Sequence, residues 1–437
     1  KTDQRDEKGG RVILALDLNT LEYKPTQKVM IPVVGIAKKV EIMDKRLKEM
    51  MASDENSGHF VRDLICGIIA YASNRIPEIS DNIYSIDNAM KAGYAWTYGP
   101  FEFWDMIGIA EGAAIAKNLG EVIPAWVEQM IKDGVTSFYK IEDGKRKYYD
   151  LDSKSYKVIP GTELNIHLDN YRTVTPVYKN SECTIHDIGD GVLCFEFTSK
   201  SNAIGEGIGQ GALEALNIAQ NGEWKGIVIG NNAKNFTVGA NLMNVGMVAM
   251  QKDFAKLEEM VNAFQQINMA LRYAPIPVVT ATQGYVFGGG CEILMHTDAA
   301  VCHAESYIGL VEVGVGLIPG GGGTKEFAVR ASESFFEGDV QIPTLVEKLK
   351  VIATATVSTS AYEGFKHGYL QHDRDIVEIN LNKVLSTAKA KVLSLAQNYN
   401  APIPKEVTVL GRGGLGTLYT ALNEFYLGKY MSAYDLE

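Results

Sequence analysis

The chain has 437 residues, of which 46% are hydrophobic and 22% are charged, and its formal net charge is −11. These values are ordinary for a globular protein of two or three domains. The acidic balance argues against broad binding to nucleic acid or to an anionic membrane, and no apolar run approaches the roughly 20 residues of a membrane-spanning helix.

The numbers and spacing of cysteine and histidine indicate whether the chain holds disulfides or a metal site. The five cysteines are odd in number and form no CxxC pair, which predicts neither a disulfide framework nor a zinc site. The seven histidines show no HExxH or other paired ligand spacing, so we expect no metal site. A reducing, cytoplasmic location fits this pattern best.

The first part of the chain predicts a helical domain behind a connector. Residues 1–57 begin with charged residues and predict a connector that ends in a charged helix at about 37–51. From residue 58 to 139 apolar residues such as Leu64 and Ile68 recur every three or four positions, which is the helical period. We therefore predict a small all-helical domain at 58–139.

A polar linker and then an alternating pattern follow. Residues 140–179, rich in Tyr, Lys and Asp, predict a linker, and the strands and helices that alternate beyond it predict an α/β domain at 180–395. Asp253 is the predicted N-cap of the best-marked helix, and residues 396–437 predict a helical tail. The predicted strands are 192–197, 226–229 and 278–282, and the predicted helices are 206–220, 253–273, 342–356 and 376–397.

Two glutamates stand in glycine-rich surroundings in the α/β domain. Gly288–Gly290 follows a strand-like segment and leads into Glu292, which predicts a tight turn at a helix N-terminus whose free N–H groups stabilise an anion. A second donor is needed to hold one oxygen, and we choose the Ala240 N–H, which lies in the turn after the preceding strand. Glu292 and Glu312 would flank one water, with one acting as base and the other as acid, or with both sharing its protons.

Each of these features has an ordinary explanation when it is taken alone. A glycine triplet is more often a turn or packing device, and a glutamate early in a helix is more often a solvated residue favoured by the helix dipole. The conjunction of the two favours the chemical interpretation. The methionine-rich run at 242–250 predicts either the lining of an apolar pocket or ordinary core packing.

Three stretches resemble the crotonase, or enoyl-CoA hydratase/isomerase, superfamily. They are Phe-x-x-Gly-Ala at 236–240, Gly-Tyr-x-x-Gly-Gly-Gly-Cys-Glu at 284–292 and Glu-x-Gly-x-Gly-x-x-Pro-Gly-x-Gly-Gly-Thr at 312–324. The resemblance covers about 180–395 and implies an α/β fold, a crotonase-type ββα spiral with C-terminal helices. It also implies that the amides of Ala240 and Gly289 form an oxyanion hole and that Glu292 and Glu312 are the two hydratase glutamates.

The same resemblance implies a CoA thioester as substrate. In this family the nucleotide end of CoA packs near the exit of the first strand, which makes Lys200 and Asn202 candidate substrate-binding residues, although a surface lysine is usually just solvated. Members that act only as isomerases usually keep a single glutamate, so the presence of both favours hydration.

A second resemblance concerns the helical domain. Residues 80–108 are similar to the C-terminal domain of 3-hydroxyacyl-CoA dehydrogenases, in which Gly-Pro-Phe-Glu, here 99–102, is a marker. Physically, the Gly-Pro pair starts a helix while Phe101 and Trp104 fill a core, so a packing role is at least as plausible as a catalytic one. The resemblance implies an all-α 3-hydroxyacyl-CoA dehydrogenase C-terminal-like domain before the crotonase domain.

This domain order implies a fragment of a bifunctional fatty-acid β-oxidation protein. No Gly-x-Gly-x-x-Gly follows a strand in residues 1–60, and the glycine-rich run at 205–211 has the wrong spacing, so NAD is expected only for a further N-terminal domain. The leading hypothesis for this chain is enoyl-CoA hydratase activity without a metal or redox cofactor. The alternatives are a Δ3,Δ2-enoyl-CoA isomerase and a non-catalytic acyl-CoA-binding scaffold, and the expected partners are acyl-CoA and either further copies of the chain or a thiolase.

Overall fold

The computed structural model describes residues 4–5, 9–26, 30–40, 42–172 and 174–437. The chain separates into two compact units, Lys1–Ile141 with Arg146–Ile159 and Glu142–Lys145 with Pro160–Glu437. Among the described residues no helix has both the length and the apolar character needed to cross a membrane.

The first unit is mainly helical, which confirms the periodicity predicted from residue 58 onward. Its described helices are α1 (Pro32–Ala37), α2 (Met43–Ala52), α3 (Asn56–Asn74), α4 (Ile83–Tyr94), α5 (Pro100–Ile107), α6 (Ile109–Asn118) and α7 (Ala125–Lys132). Strands β1 (Leu14–Leu16) and β2 (Tyr23–Pro25) pair with each other. A three-stranded sheet is formed by β3 (Tyr139–Glu142), β4 (Lys145–Asp150) and β5 (Ser155–Val158). The tip of the hairpin between β3 and β4, residues 142–145, is assigned to the second unit.

The Gly-Pro-Phe-Glu motif of the first unit starts a helix and fills a core. Helix α5 begins at Pro100, and the Glu102 side chain accepts a hydrogen bond of 2.6 Å from the Gly99 N–H, which closes the first turn. Phe101 and Trp104 are fully buried, and each ring lies 5.1 Å from the ring of Phe138. The packing role of this motif is confirmed.

The predicted connector and linker both contribute to the core of the first unit. Leu47 and Met51 of α2 are buried, as are Tyr148 and Tyr149 of β4. These stretches are rich in charged residues and tyrosine, but they also hold apolar residues such as Leu47 and Met51, and a tyrosine ring is itself largely apolar and can pack inward. The composition of these stretches does not predict that they pack into the core. The exact domain boundaries stay a prediction.

The second unit is an α/β unit. Its described strands are β6 (Tyr178–Lys179), β7 (Cys183–Asp187), β8 (Val192–Phe197), β9 (Gly226–Gly230), β10 (Val278–Phe287), β11 (Ala299–Gly309) and β12 (Ile376–Glu378). Its described helices are α8 (Glu206–Asn221), α9 (Leu242–Met250), α10 (Phe254–Arg272), α11 (Gly289–His296), α12 (Gly323–Glu333), α13 (Ile342–Ala353), α14 (Ala361–His367), α15 (Val384–Ala396), α16 (Gly411–Leu427) and α17 (Ala433–Leu436). Short 3-10 turns occur at Leu168–Tyr171, Lys200–Asn202, Glu312–Val315 and Leu381–Lys383.

The described strands of this unit form one sheet in the order β12-β11-β10-β9-β8-β7-β6. Strands β8 to β12 are parallel, whereas β7 and β6 run antiparallel to their neighbours. Both faces are covered, because Ile227 and Ile229 of β9 point into a core with α8, α10 and α11, while Val228 points into a second core with α15. Fully burying one such side chain contributes about 1.5–3 kcal/mol.

Most of the predicted elements of this unit are confirmed. Strand β8 has the predicted bounds, helix α8 ends one residue later than predicted, and α10 begins after Asp253, whose side chain accepts from the Lys256 N–H at 3.0 Å. The helix predicted from residue 376 is wrong at its start, because Ile376–Glu378 pairs with β11 as an edge strand. The long strand β11 was not predicted at all.

Candidate active site

The site residues lie where the parallel strands β9, β10 and β11 end. In a parallel sheet the carboxyl ends of the strands meet at one edge, and the loops that leave this edge form a crevice. The loop after β9 leads to Ala240, β10 runs directly into the turn at Gly288, and β11 leads to Glu312. Residues far apart in the chain therefore meet at one edge of the sheet.

The Gly289 amide is the first N–H group of α11. Such a group has no acceptor inside its own helix. The carbonyl of Tyr285, four residues earlier, already accepts from the Thr237 N–H at 3.0 Å. Within the described ranges the Gly289 N–H donates to no acceptor, so it is available to an anion at the helix N-terminus.

The Ala240 amide is left unbonded for a different reason. Ala240 forms a parallel bridge with Ile204, in which the Ile204 N–H donates to Gly239 O at 2.8 Å and the Asn241 N–H donates to Ile204 O at 2.9 Å. The Ala240 N–H takes no part in this bridge, because every second amide of such a strand faces away from the partner strand. For the part of the chain that is described, that amide has no acceptor.

Two glycines bring the turns that carry these amides together. Gly239 has φ of +94° and Gly288 has φ of +53°, a region that side chains with a Cβ rarely adopt. A Cβ on Gly239 would lie 2.9 Å from Phe287 O and 3.6 Å from Gly288 Cα. The two turns are therefore packed backbone to backbone, which only glycine permits.

Glu292 is buried in the first turn of α11. Its Oε1 accepts a hydrogen bond of 2.9 Å from the Gly323 N–H at the start of α12. Burial raises the pKa of this carboxyl, and hydrogen bonds from the amides of residues 321–323 oppose the rise because they stabilise the anion. The amides of the glycine-rich loop thus offset part of the cost of burying a charged Glu292.

Glu312 is half-buried in a 3-10 turn, and its carboxyl group accepts fewer hydrogen bonds than that of Glu292. Its Oε2 is buried without a hydrogen-bond partner among the described residues. Burial, followed by repulsion from the Glu292 carboxylate, raises the pKa of Glu312 to about 7. A Cβ on Gly288 would lie 3.2 Å from Glu312 Oε1, so this carboxyl faces the turn that carries the Gly289 amide.

The two predicted CoA contacts differ in their surroundings. Lys200 is exposed in the turn after β8. Asn202 is buried, its Nδ2 donates to Asn235 O at 3.1 Å, and its carbonyl accepts from Thr237 Oγ1 at 2.6 Å. The side chain of Asn202 therefore braces the loop that leads to Ala240, and a direct contact of Asn202 with substrate stays a prediction.

Sequence patterns missed part of the surroundings of the site. Phe264 lies in the helix predicted at 253–273 and has no site role in that prediction, yet a Cβ on Gly289 would lie 3.1 Å from its ring. Tyr369, which is fully buried, was not singled out at all. No local pattern marks either residue, because their approach to the site depends on the packing of α10 and of the segment after α14.

Helix α9, the methionine-rich segment, has no buried residue. Met243 and Met250 are 77% and 86% exposed. Ordinary core packing, one of the two interpretations of this run, is therefore wrong for the chain as described. The helix follows Ala240 directly, so its apolar surface lies next to the site in the chain.

The glycine-rich run at 205–211 serves packing. Gly207, Gly209 and Gly211 lie inside α8, and a Cβ at each would meet a side chain of β7, of α10 or of Glu182, just before β7, at 3.0 Å or less. This run does not form the turn that cradles a dinucleotide, so these residues do not fit NAD. Within the described ranges no group of three or more His, Cys, Asp or Glu side chains is arranged to hold a metal ion.

Known proteins are similar either to part of the second unit or to nearly the whole chain. The family described as enoyl-CoA hydratase/isomerase matches residues 187–342, which include Ala240, Glu292 and Glu312. A Bacillus subtilis protein named as a probable 3-hydroxyacyl-CoA dehydrogenase is 34% identical over 99% of this chain and 54% of its own length. A Rickettsia felis protein provisionally named a trifunctional enzyme of the fatty acid oxidation complex is 28% identical over 98% of this chain and 54% of its own length.

The chain thus spans about half the length of these relatives. Among solved structures, an enoyl-CoA hydratase from Bacillus anthracis is 17% identical, with a TM-score of 0.41 over 59% of this chain and 86% of that one. The match to residues 187–342 covers strands β8 to β11, the two turns and both glutamates described above. Residues 187–342, which lie in the second unit, are therefore similar to the enoyl-CoA hydratase/isomerase family.

Proposed function

We propose that this domain adds water across the double bond of a 2-enoyl-CoA thioester. The observation that carries the proposal is the combination of two unbonded amides, at Ala240 and Gly289, with two carboxyl groups in contrasting surroundings. The thioester oxygen would accept from both amides, because attack on the conjugated system places negative charge on that oxygen. One such donor stabilises a transition state by about 3 kcal/mol.

The two glutamates take opposite roles in this proposal. Glu292 receives hydrogen bonds from backbone amides and acts as the ionised base that takes a proton from water. Glu312 has a pKa of about 7 and acts as the acid. The oxygen of water bonds to the β-carbon, the π electrons move into an enolate held by the two amides, and the proton of Glu312 goes to the α-carbon.

The atoms of this step balance without a cofactor. Water supplies a hydroxyl group to the β-carbon and a proton to Glu292, while Glu312 supplies a proton to the α-carbon. Return of one proton from Glu292 to Glu312, directly or through solvent, restores the starting state. A 3-hydroxyacyl-CoA dehydrogenase activity of a longer protein, and association with a thiolase or with other copies of the chain, stay predictions.

Single substitutions of the two glutamates test the proposal. Glu292→Gln and Glu312→Gln preserve shape but remove a base or an acid, and each is expected to slow the loss of the conjugated-enoyl absorbance by about 10²–10⁴-fold. Circular dichroism and thermal unfolding should show that both variants remain folded. Unchanged turnover in both variants would rule out hydration by this pair.

The same preparations separate hydration from the alternatives. Product analysis on a 3-enoyl-CoA detects isomerisation, in which one glutamate moves a proton between the α and γ carbons. Tight binding of an acyl-CoA without conversion of either substrate would instead indicate a scaffold. Hydration of the 2-enoyl-CoA, lost in both glutamine variants, is the result expected here.

A further inference from the structure

The hydroxyl group of Tyr369 is bonded to the segment that leads to Glu312. Tyr369 is fully buried, its Oη accepts from the Leu310 N–H at 3.3 Å, and its O–H donates to Thr356 O at 2.7 Å. Leu310 lies two residues before Glu312. One side chain therefore satisfies an N–H group of the catalytic segment and a carbonyl of the segment packed beside it.

The same segment also reaches the turn that carries the Gly289 amide. Gly309 O accepts from the Gly288 N–H at 2.9 Å, and Gly309 forms an antiparallel bridge with Val357. Ile308 is held by Ser358, whose Oγ accepts from the Ile308 N–H at 3.0 Å. Residues 308–310 are thus fixed on one side by 356–358 and Tyr369, and on the other side they hold Gly288.

We propose that Tyr369 is a positioning residue for the hydration reaction, and that its hydroxyl keeps the Glu312 turn aligned with the Gly289 amide. The inference rests on the proposed function. The ring alone does not account for the arrangement, because both hydrogen bonds of the hydroxyl end on backbone atoms of the segments on either side of it, and one of them, the Leu310 N–H, belongs to a fully buried residue. Removing the hydroxyl would leave the N–H of the buried Leu310 and the carbonyl of the partly buried Thr356 without this partner.

Tyr369 is itself held in place, as a positioning residue must be. Arg330, which is buried, donates through Nη1 to Gly368 O at 2.8 Å and to Tyr369 O at 2.9 Å, and through Nη2 to Met295 O at 3.1 Å. The ring of Phe327 packs against the tyrosine ring at 5.5 Å. The hydroxyl is therefore fixed relative to the end of α11, the helix that carries Glu292.

The surroundings also keep the hydroxyl protonated. Burial raises the pKa of Tyr369 well above its usual value, and the nearby thiol of Cys291 and carboxyl of Glu312 raise it further. Glu312 is faced by Glu292 and Cys291 of α11 and by Tyr369. A shift of the turn would change the access of water to the carboxyl of Glu312, and this gives the inference a second readout.

The test compares Tyr369→Phe with Tyr399→Phe. Tyr399 is a control because its hydroxyl bonds to Ala274 O at 3.1 Å and to Asp298 Oδ1 at 3.0 Å, at the amino ends of β10 and β11. With about 3.3 Å per residue, the ten residues of β10 place this edge roughly 30 Å from the site. Both variants lose one tyrosine hydroxyl from the same unit.

Tyr369→Phe is expected to lower kcat for a short 2-enoyl-CoA by about tenfold to a hundredfold, while KM changes by less than about twofold. The alkaline limb of its pH profile should move to lower pH, since water around Glu312 favours the ionised form. Tyr399→Phe should keep the wild-type kcat and pH profile. A purely structural tyrosine would lower the melting temperature without changing either kinetic readout.

The outcomes distinguish this inference from the proposed function. A wild-type chain that converts no 2-enoyl-CoA contradicts the proposed function. An active wild-type chain whose Tyr369→Phe variant matches Tyr399→Phe in kcat and pH profile overturns the role of Tyr369 alone. Should Tyr369→Phe fail to fold, Ser358→Ala removes the neighbouring bond to Ile308, and an unchanged kcat in that variant overturns the inference.

Discussion

Glu292 and Glu312 carry the same functional group in different surroundings. Amides of residues 321–323 point at Glu292 and favour its ionised form, whereas Glu312 has a buried oxygen without a partner within the described ranges. Pairs of carboxyl groups whose surroundings push their pKa values apart are typical of acid–base sites. The assignment of Glu292 as base and Glu312 as acid follows from this contrast.

The contrast predicts the pH dependence of hydration. Glu312 must be protonated to act as the acid, and its raised pKa of about 7 means that kcat/KM should fall as pH rises through about 7. Glu292 must be ionised, and because burial also raises its pKa, activity should fall again on the acidic side. A pH series of initial rates checks this, and a profile that is flat from pH 6 to 9 would contradict the assignment.

At the scale of elements, the arrangement depends on turns that hold one another. Thr237, which is fully buried, donates through Oγ1 to Asn202 O at 2.6 Å and accepts from the Gly239 N–H at 3.0 Å. These two bonds link the turn after β8 to the turn that carries Ala240. The position of the Ala240 amide, the proposed oxyanion donor, is therefore set by a side chain that is not itself proposed to contact the substrate.

Thr237→Val tests this link. The change keeps the shape but leaves the Gly239 N–H and Asn202 O without their partner, which costs about 1–3 kcal/mol of stability, and displacement of the Ala240 amide should lower kcat by about tenfold or more. Thr280→Val is the matched control, since Thr280 is equally buried and bonds to Thr297 near the start of β10. Equal kcat losses in the two variants would contradict the link.

Local sequence patterns predict elements well where a stop or start signal is strong. Gly288–Gly290 predicts the start of α11, and Asp253 predicts the start of α10, because turn geometry and helix capping depend on only a few neighbouring residues. Strand β11 and the edge strand at Ile376–Glu378 were missed, because their strand identity is decided by the neighbour with which they pair.

The same distinction holds for the site. Glu292, Glu312 and the two amides could be predicted because glycine-rich motifs mark them in the chain. Tyr369 could not, since its hydroxyl meets Leu310 across 59 residues of sequence and no nearby pattern marks the contact. A residue that is proposed to position another group across the fold is therefore harder to predict than the group itself.

At the scale of the whole molecule, each unit has its own hydrophobic core. The core of the first unit is built around Trp104 and Phe101, while Phe195 belongs to the core of the second unit. All the site residues lie in the second unit. Stability and hydration should therefore respond differently to changes in the two cores.

Trp104→Ala is predicted to destabilise the first unit by about 3–5 kcal/mol, because it removes a fully buried ring. The initial hydration rate, measured well below the melting temperature, should stay within about twofold of wild type. Phe195→Ala makes the matched change in the second unit and should lower the stability of the unit that carries the site. Loss of hydration in Trp104→Ala with an intact second-unit transition would contradict this separation.

The most direct test of the central claim is a crystal structure of this chain with a bound acyl-CoA. The account predicts the thioester oxygen about 2.7–3.1 Å from both the Ala240 and the Gly289 amide nitrogen atoms, with the carboxyl groups of Glu292 and Glu312 beside the α- and β-carbons. A thioester bound elsewhere, or an oxygen that meets neither amide, would contradict the account.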